Sequence, residues 1–253
     1  MKRYFIRLSF RGAPFHGWQS QPNAVSVQSV VENALHTVLR TETPIVGAGR
    51  TDAGVNAKTM FAHFDLEGDL PNKERLLISL NGLVGKDIAI HDIFQVPNDA
   101  HARFDATERT YKYFVSFEKN PFLYHLSWFC PSHLDISKMN EAAQLFLNTS
   151  DFTSFAKLHS DAKTNICDVR YACWTMEQDN LAVFTISADR FLRNMVRAIV
   201  GTLVDVGRGK ITPEDVKKII DSKNRCSAGQ SMPGEALFLW NVKYDQLQIP
   251  QQP

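Results

Sequence analysis

Arg3-Tyr4-Phe5-Ile6-Arg7-Leu8-Ser9-Phe10 alternates, with Tyr4, Ile6, Leu8 and Phe10 at every second position. That period of two predicts a half-buried strand near the start of the chain. The period changes downstream. From Ser26 to Leu39, residues Val27, Val30, Val31, Ala34, Leu35 and Val38 recur at helical spacing, and Ser29-x-x-Glu32 resembles a capping box. Met60 to Phe64 reads as a short strand, Asn72 as the cap of a helix carrying Leu76, Leu77, Leu80 and Leu83, and Ile88 to Val96 as another strand.

A similar order then recurs. Tyr111 to Phe117 predicts a strand, and Ile136 to Leu147 a helix with Met139, Ala142, Ala143 and Phe146 inward. Two strands, Val169 to Met176 and Leu181 to Ala188, flank the polar turn Glu177-Gln178-Asp179-Asn180. Arg190 to Val206 predicts the longest helix. Thr212-Pro213-Glu214-Asp215 has the cap, the proline and the acids of a helix start, and Leu237 to Tyr244 closes as a strand. The expectation is an α+β protein of two ferredoxin-like β-α-β-β-α-β halves around a largely antiparallel sheet, with an active-site cleft between them. The halves are 1–106, carrying the Asp52 loop, and 107–245, carrying Tyr111 and Arg197. Ala100 to Glu108 is the expected join, and 246–253 a polar tail that frays.

Composition narrows the classes. The 253 residues are 44% hydrophobic and 22% charged, as in ordinary soluble proteins. A formal net charge of +1 does not mark an indiscriminate nucleic-acid binder, although a local basic groove balanced by acids elsewhere stays compatible with it. No apolar run reaches the roughly 20 residues that cross a bilayer, and the start does not read as a signal peptide. The four cysteines form no C-x-x-C pair, so reduced thiols in a cytosolic protein are expected. The eight histidines show no metal-ligand spacing, so no metal is expected.

Three stretches carry the candidate chemistry. In Gly49-Arg50-Thr51-Asp52-Ala53-Gly54-Val55-Asn56-Ala57, small residues surround one carboxylate on a loop. In Phe191-Leu192-Arg193-Asn194-Met195-Val196-Arg197, helical spacing sets Arg190, Arg193 and Arg197 on one face, opposite Leu192, Met195, Val196, Ile199 and Leu203. Arginine is the cation suited to planar pairing with carboxylate or phosphate. In His101 to Tyr113, Tyr111 and Tyr113 share one face of a strand. Taken without further comparison, these features describe an α+β protein with an arginine-lined loop acid.

Together the stretches resemble three motifs of the TruA family of tRNA pseudouridine synthases: GRTDAGVHA, FLxxMVR and ARF-x-A-x-x-R-x-Y-x-Y. The resemblance runs from Tyr4 to Tyr244 with the motifs in the family's order. It implies that Asp52 is the catalytic residue, that Arg197 pairs with it, and that Tyr111 stacks on the target uracil. Phe15-His16-Gly17-Trp18-Gln19-Ser20-Gln21-Pro22 resembles the family's HGWQ-x-Q segment, which implies an RNA contact for Gln19. Asp151 to Phe155 also resembles a family segment, read here as packing. Gly201 to Lys210 resembles a further family segment, whose end is expected either to reach phosphate through Arg208 or Lys210 or to serve as a plain helix C-terminus that needs no ligand. Asn56 stands where the family usually has His, Val84-Gly85-Lys86-Asp87 departs from its usual Leu-Pro, and the segment around Pro233 is only loosely similar.

The implied activity is conversion of uridine to pseudouridine in tRNA, on the 3′ side of the anticodon stem-loop, by a cytoplasmic homodimer that needs no cofactor. Arg50 joins Tyr111 and Gln19 as a substrate contact. Lys58, Arg109, Arg190 and Arg193 are the expected backbone contacts. Asp52 acts either as nucleophile on C1′ or as base on the 2′-hydrogen. Two other classes compete. A non-catalytic RNA-binding module needs the basic residues and the stacking tyrosine but not Asp52. A glycosidase-like hydrolase needs two acids, and the loop holds one, with Asp105 and Asp205 distant in sequence.

Overall fold

The computed structural model describes residues 1–158, 163–178 and 180–250. The fold is mixed α+β. In chain order the elements are β1 (Lys2–Phe10), α1 (Val27–Leu39), β2 (Val46–Gly47), β3 (Asn56–Leu66), α2 (Lys73–Leu83), β4 (Ile88–Val96), β5 (Glu108–Ser116), β6 (Trp128–Phe129), α3 (Ile136–Gln144), β7 (Val169–Gln178), β8 (Leu181–Ala188), α4 (Met195–Gly207), α5 (Pro213–Ser222) and β9 (Leu237–Lys243). Two compact units emerge: Met1–Thr107 with the segment from Leu239 onward, and Glu108–Phe238.

In the first unit, β1 lies between β4 and β3 and is antiparallel to both. Tyr4, Ile6, Leu8 and Phe10 are buried, as the alternation predicts. The other face is not solvated, however. Phe5 is also buried, and its ring joins Phe61, Phe94 and Tyr244 at centroid distances of 5.5–6.4 Å. Strand β1 is therefore buried on both sides and not half-buried, because aromatic side chains from three other segments cover its second face.

The expected join from Ala100 is a tied-down turn. The Tyr244 hydroxyl donates to the Ala102 carbonyl at 2.6 Å, and the Ala102 amide donates to His63 Nδ1 at 3.1 Å. Arg3 forks onto both oxygens of Asp65 at 2.8 Å and reaches the Ala100 carbonyl with Nη1 at 2.8 Å. Helix α1 starts at Ser26, whose hydroxyl makes the capping box with Ser29. The expected Ser29–Glu32 box is not used, since the Glu32 carboxylate instead accepts from the Ile45 amide at 3.0 Å. Asn72 caps α2 as expected.

In the second unit, β8 is antiparallel to both β5 and β7, while the short β6 runs parallel to β5. The strand pairing of the molecule is thus mixed. Met139, Ala142 and Ala143 of α3 are buried, with Phe146 in the 3-10 turn that follows. Asn140 stitches α3 to β7 by exchanging hydrogen bonds with the Trp174 backbone at 2.7 and 3.0 Å. Phe152 and Phe155 pack on Phe146, as the packing role predicted for this segment requires. Thr212 caps α5 in a capping box with Asp215.

The largest departure is in α4, which begins at Met195 and not at Arg190. Asn194 precedes it with a left-handed φ of 68°, a conformation that asparagine tolerates and a continuing helix does not. Asp189 further favours a turn here, because its carboxylate accepts from the Arg190 amide at 2.7 Å. Arg190 and Arg193 thus lie off the helix, and the three-arginine helical face does not form. The apolar side, Met195 to Leu203, is buried as predicted.

All four cysteines are free. Burial pushes the Cys167 thiol up to about 12, so it stays neutral. The expected 177–180 turn and tail lie partly outside the described residues, at 179 and 251–253.

His63 provides a test of the first unit. Burial, with Arg3 nearby, lowers its pKa to about 4. Below pH 6.5 the unfolded chain takes up a proton that the folded chain refuses, so stability declines as pH falls toward 4, by at most roughly 3 kcal/mol. Denaturant midpoints at pH 7.5 and 4.5 check this. The His63→Gln variant should show a smaller acid loss than the parent; an equal loss removes His63 as its source.

Candidate active site

Two loops of the first unit lie backbone against backbone. Trp18 donates from its amide to the Thr51 carbonyl at 3.3 Å, and Gly54 donates to the Phe15 carbonyl at 3.4 Å. Such an approach has no room for side chains. A Cβ on Gly12 would overlap the Val55 carbonyl, and one on Gly17 would overlap the Thr51 carbonyl; Gly17 also has φ +91°. Gly54, expected to permit a tight bend, does so at φ 78°, and the Val55 amide closes the turn onto the Asp52 carbonyl at 3.2 Å. Gly49 has open space around it and no such constraint.

Trp18, buried against Gly47, anchors the inner loop from below. Asn56, in the position of the family's His, is buried, and its Oδ1 accepts from the Gly12 amide at 2.8 Å. That contact clamps one loop to the other. Asp52 is thereby presented half-buried on a rigid turn, while Arg50 and Gln19 are exposed nearby in sequence to these clamped segments. Lys58 is exposed, with its ammonium 4.1 Å from the centre of the Trp240 ring. This is a cation–π contact that orients the side chain.

The remaining candidates belong to the second unit. Tyr111 sits on β5 across from Ile186, half-buried, with Phe191 edge-on at 5.1 Å. Phe191 braces one edge of the phenol and so fixes its plane. Tyr113, two residues on, is fully buried, and burial pushes its phenol up. Sharing a strand face therefore does not mean sharing a role: Tyr113 is core. Arg109 donates to the Asp189 carbonyl at 2.8 Å. Arg190 is half-buried and Arg193 exposed on the turn before α4.

Arg197 lies in the first turn of α4, and its Nε donates to the Met232 carbonyl at 2.6 Å. The Met232 amide returns a bond to the Arg197 carbonyl at 3.2 Å. The 228–232 segment that supplies these groups carries no signal in the sequence; the close approach of Gly229 to Gly201 shows only in the structure. At the far end of α4, Lys210 pairs with Asp205 at 3.1 Å and Arg208 lies over Trp128 at 5.4 Å. Both side chains thus have protein partners. Among the described residues, no group of three His, Cys, Asp or Glu side chains is placed to share a metal ion.

Comparison with known proteins adds the last observation. A family model described as tRNA pseudouridine synthase matches residues 142–245. The chain is 54% identical over 246 residues to tRNA pseudouridine synthase A of Bacteroides fragilis, covering 97% of this chain and 98% of that one. It is 54% identical over 250 residues to the protein of that name from Parabacteroides distasonis, covering 99% of each. With its Bacillus subtilis counterpart it shares 39% over 242 residues, covering 94% of this chain and 97% of the other. Identity at this level along almost the whole length shows that the chain belongs to the tRNA pseudouridine synthase family.

Proposed function

We propose that this protein is an isomerase that converts uridine to pseudouridine in tRNA, on the 3′ side of the anticodon stem-loop. The observation that carries this reading is the near full-length similarity to tRNA pseudouridine synthase A proteins, in a chain whose Asp52 carboxylate lies on a turn clamped to the Gly12–Trp18 loop. The reaction breaks the N1–C1′ bond, turns the uracil and joins C5 to C1′, while the proton on C5 leaves and N1 gains one. Reactant and product have the same atoms and the same oxidation state, so no cofactor is called for.

Asp52 supplies the carboxylate, as nucleophile on C1′ or as base on the 2′-hydrogen. Arg197 is the cation that pairs with it, a role suited to its planar guanidinium. Tyr111 stacks on the extruded uracil and relays the C5 proton; its edge-on brace from Phe191 supports that role. Arg50 and Gln19 contact the target nucleotide, and Lys58, Arg109, Arg190 and Arg193 the phosphates. With Arg190 and Arg193 on a turn, they reach backbone from a loop and not from a helical stripe. The halves 1–106 and 107–245 are read as ferredoxin-like, which the β1-α1-β2-β3-α2-β4 order supports in the first. A cytoplasmic homodimer with one tRNA bridging both subunits completes the proposal.

Tritium release from tRNA labelled at uridine C5 tests the chemistry. Asp52→Asn should bind tRNA with near-parental affinity and release no tritium; any pseudouridine formed by that variant removes Asp52 from its role. Arg197→Lys should lose activity at least about tenfold, because an ammonium lacks the planar contact, and its acid limb in kcat/KM should move toward neutral pH. Parental turnover and an unmoved limb in Arg197→Lys would show that the two side chains do not work as a pair.

A further inference from the structure

Apart from the buried Met232, the segment that holds Arg197 has little apolar anchorage of its own. Ala228-Gly229-Gln230-Ser231 offers no large hydrophobic side chain, yet it lies flat on α4. Two glycines permit this. A Cβ on Gly201 would overlap the Gln230 carbonyl oxygen, and one on Gly229 would sit 2.6 Å from the Gly201 carbonyl carbon. Thr202 adds a bond between the layers, its hydroxyl accepting from the Gly229 amide at 2.9 Å.

Arg225 closes the strap. Its Nη1 donates to the Gly229 carbonyl at 3.1 Å and the Ala228 carbonyl at 3.4 Å, and its Nη2 to the Ser231 hydroxyl at 2.8 Å. The same hydroxyl accepts from Asn194 Nδ2 at 2.6 Å, at the left-handed residue where α4 begins. Every one of these acceptors is neutral. The guanidinium acts through the shape of its donor fork, gathering three successive parts of the strap around one plane. The strap's end is then Met232, whose carbonyl takes Arg197 Nε at 2.6 Å. Because guanidinium is flat, holding Nε sets the plane in which the two terminal nitrogens of Arg197 lie.

We propose that Arg225 is a positioning residue for pseudouridine formation: it locks the 228–232 strap onto α4, so that the Met232 carbonyl aims the Arg197 guanidinium. This rests on the reading of Arg197 as the partner of Asp52. Arg225 touches neither substrate nor Asp52 in this scheme. Its effect passes through a backbone oxygen, and a shift of about 1 Å at a catalytic group is enough to cost roughly a hundredfold in rate.

Arg225→Lys keeps the charge and loses the fork; Ser231→Ala removes only the shared hydroxyl and serves if the first variant does not fold. Each is assayed as the full-length protein for tritium release from C5-labelled tRNA across pH, for tRNA affinity by filter binding, and for melting temperature. The expected result for Arg225→Lys is a fall in kcat of about tenfold or more, with parental affinity and melting temperature and an acid limb displaced in the same direction as in Arg197→Lys. Ser231→Ala should give the same pattern at smaller size. A parental kcat and acid limb overturn the proposal, and so does a loss that tracks the folded fraction alone. Displacement of the limb in Arg197→Lys but in neither strap variant sinks the strap and leaves Arg197 in its role. An unmoved limb in Arg197→Lys sinks both.

Discussion

The Asp52 turn depends on two stretches of main chain meeting where no side chain fits. Gly12 and Gly17 lie against the carbonyls of Val55 and Thr51, and any larger residue would push the loops apart. Hydrogen bonds across the seam, including the one from Gly12 to Asn56, then set the spacing. A lone carboxylate on a free loop would sample many positions, and ordering it at the moment of reaction would cost entropy. Here folding has already done that ordering. The aromatic cluster beneath β1, Trp18 on Gly47 and the tied turn at Ala102 all make the platform stiff.

Asn56 holds the Asp52 loop to the segment at Gly12. Its side chain is buried and its oxygen answers a backbone donor. Asn56 works inside the scaffold, where its oxygen ties one loop to the other. A buried amide donor left without an acceptor costs on the order of 1–3 kcal/mol, so what the position demands is an acceptor aimed at Gly12.

Much of this was legible beforehand, for identifiable reasons. Strands β4 and β8 match their predicted limits because clear turn signals bound them, and the caps at Asn72 and Thr212 are local chemistry that needs no tertiary context. Asp52, Tyr111 and Arg197 stand out through motif resemblance and remain candidates for the site. The failures trace mostly to information held by distant segments, and at α4 to a local turn. Periodicity alone ran α4 back to Arg190, since Leu192 continues the apolar spacing, but Asn194 adopts a left-handed turn. Strand β1 seemed half-solvated because nothing near it announces Phe61, Phe94 and Tyr244. The Ser29-x-x-Glu32 pattern was real as a string, yet Glu32 is recruited by Ile45. The glycines that matter most, 12, 17, 201 and 229, are meaningful only once their neighbours across the chain are known.

The acceptor that steadies Arg197 is a main-chain oxygen. All twenty amino acids carry that atom, so no codon change at position 232 can erase it. Drift in side-chain identity at 232 itself is thereby decoupled from the guanidinium, provided the chain's course is preserved. Variation at 232 should be judged by whether it bends the path, whereas Gly229 and Ser231 stay bound to contacts of their own.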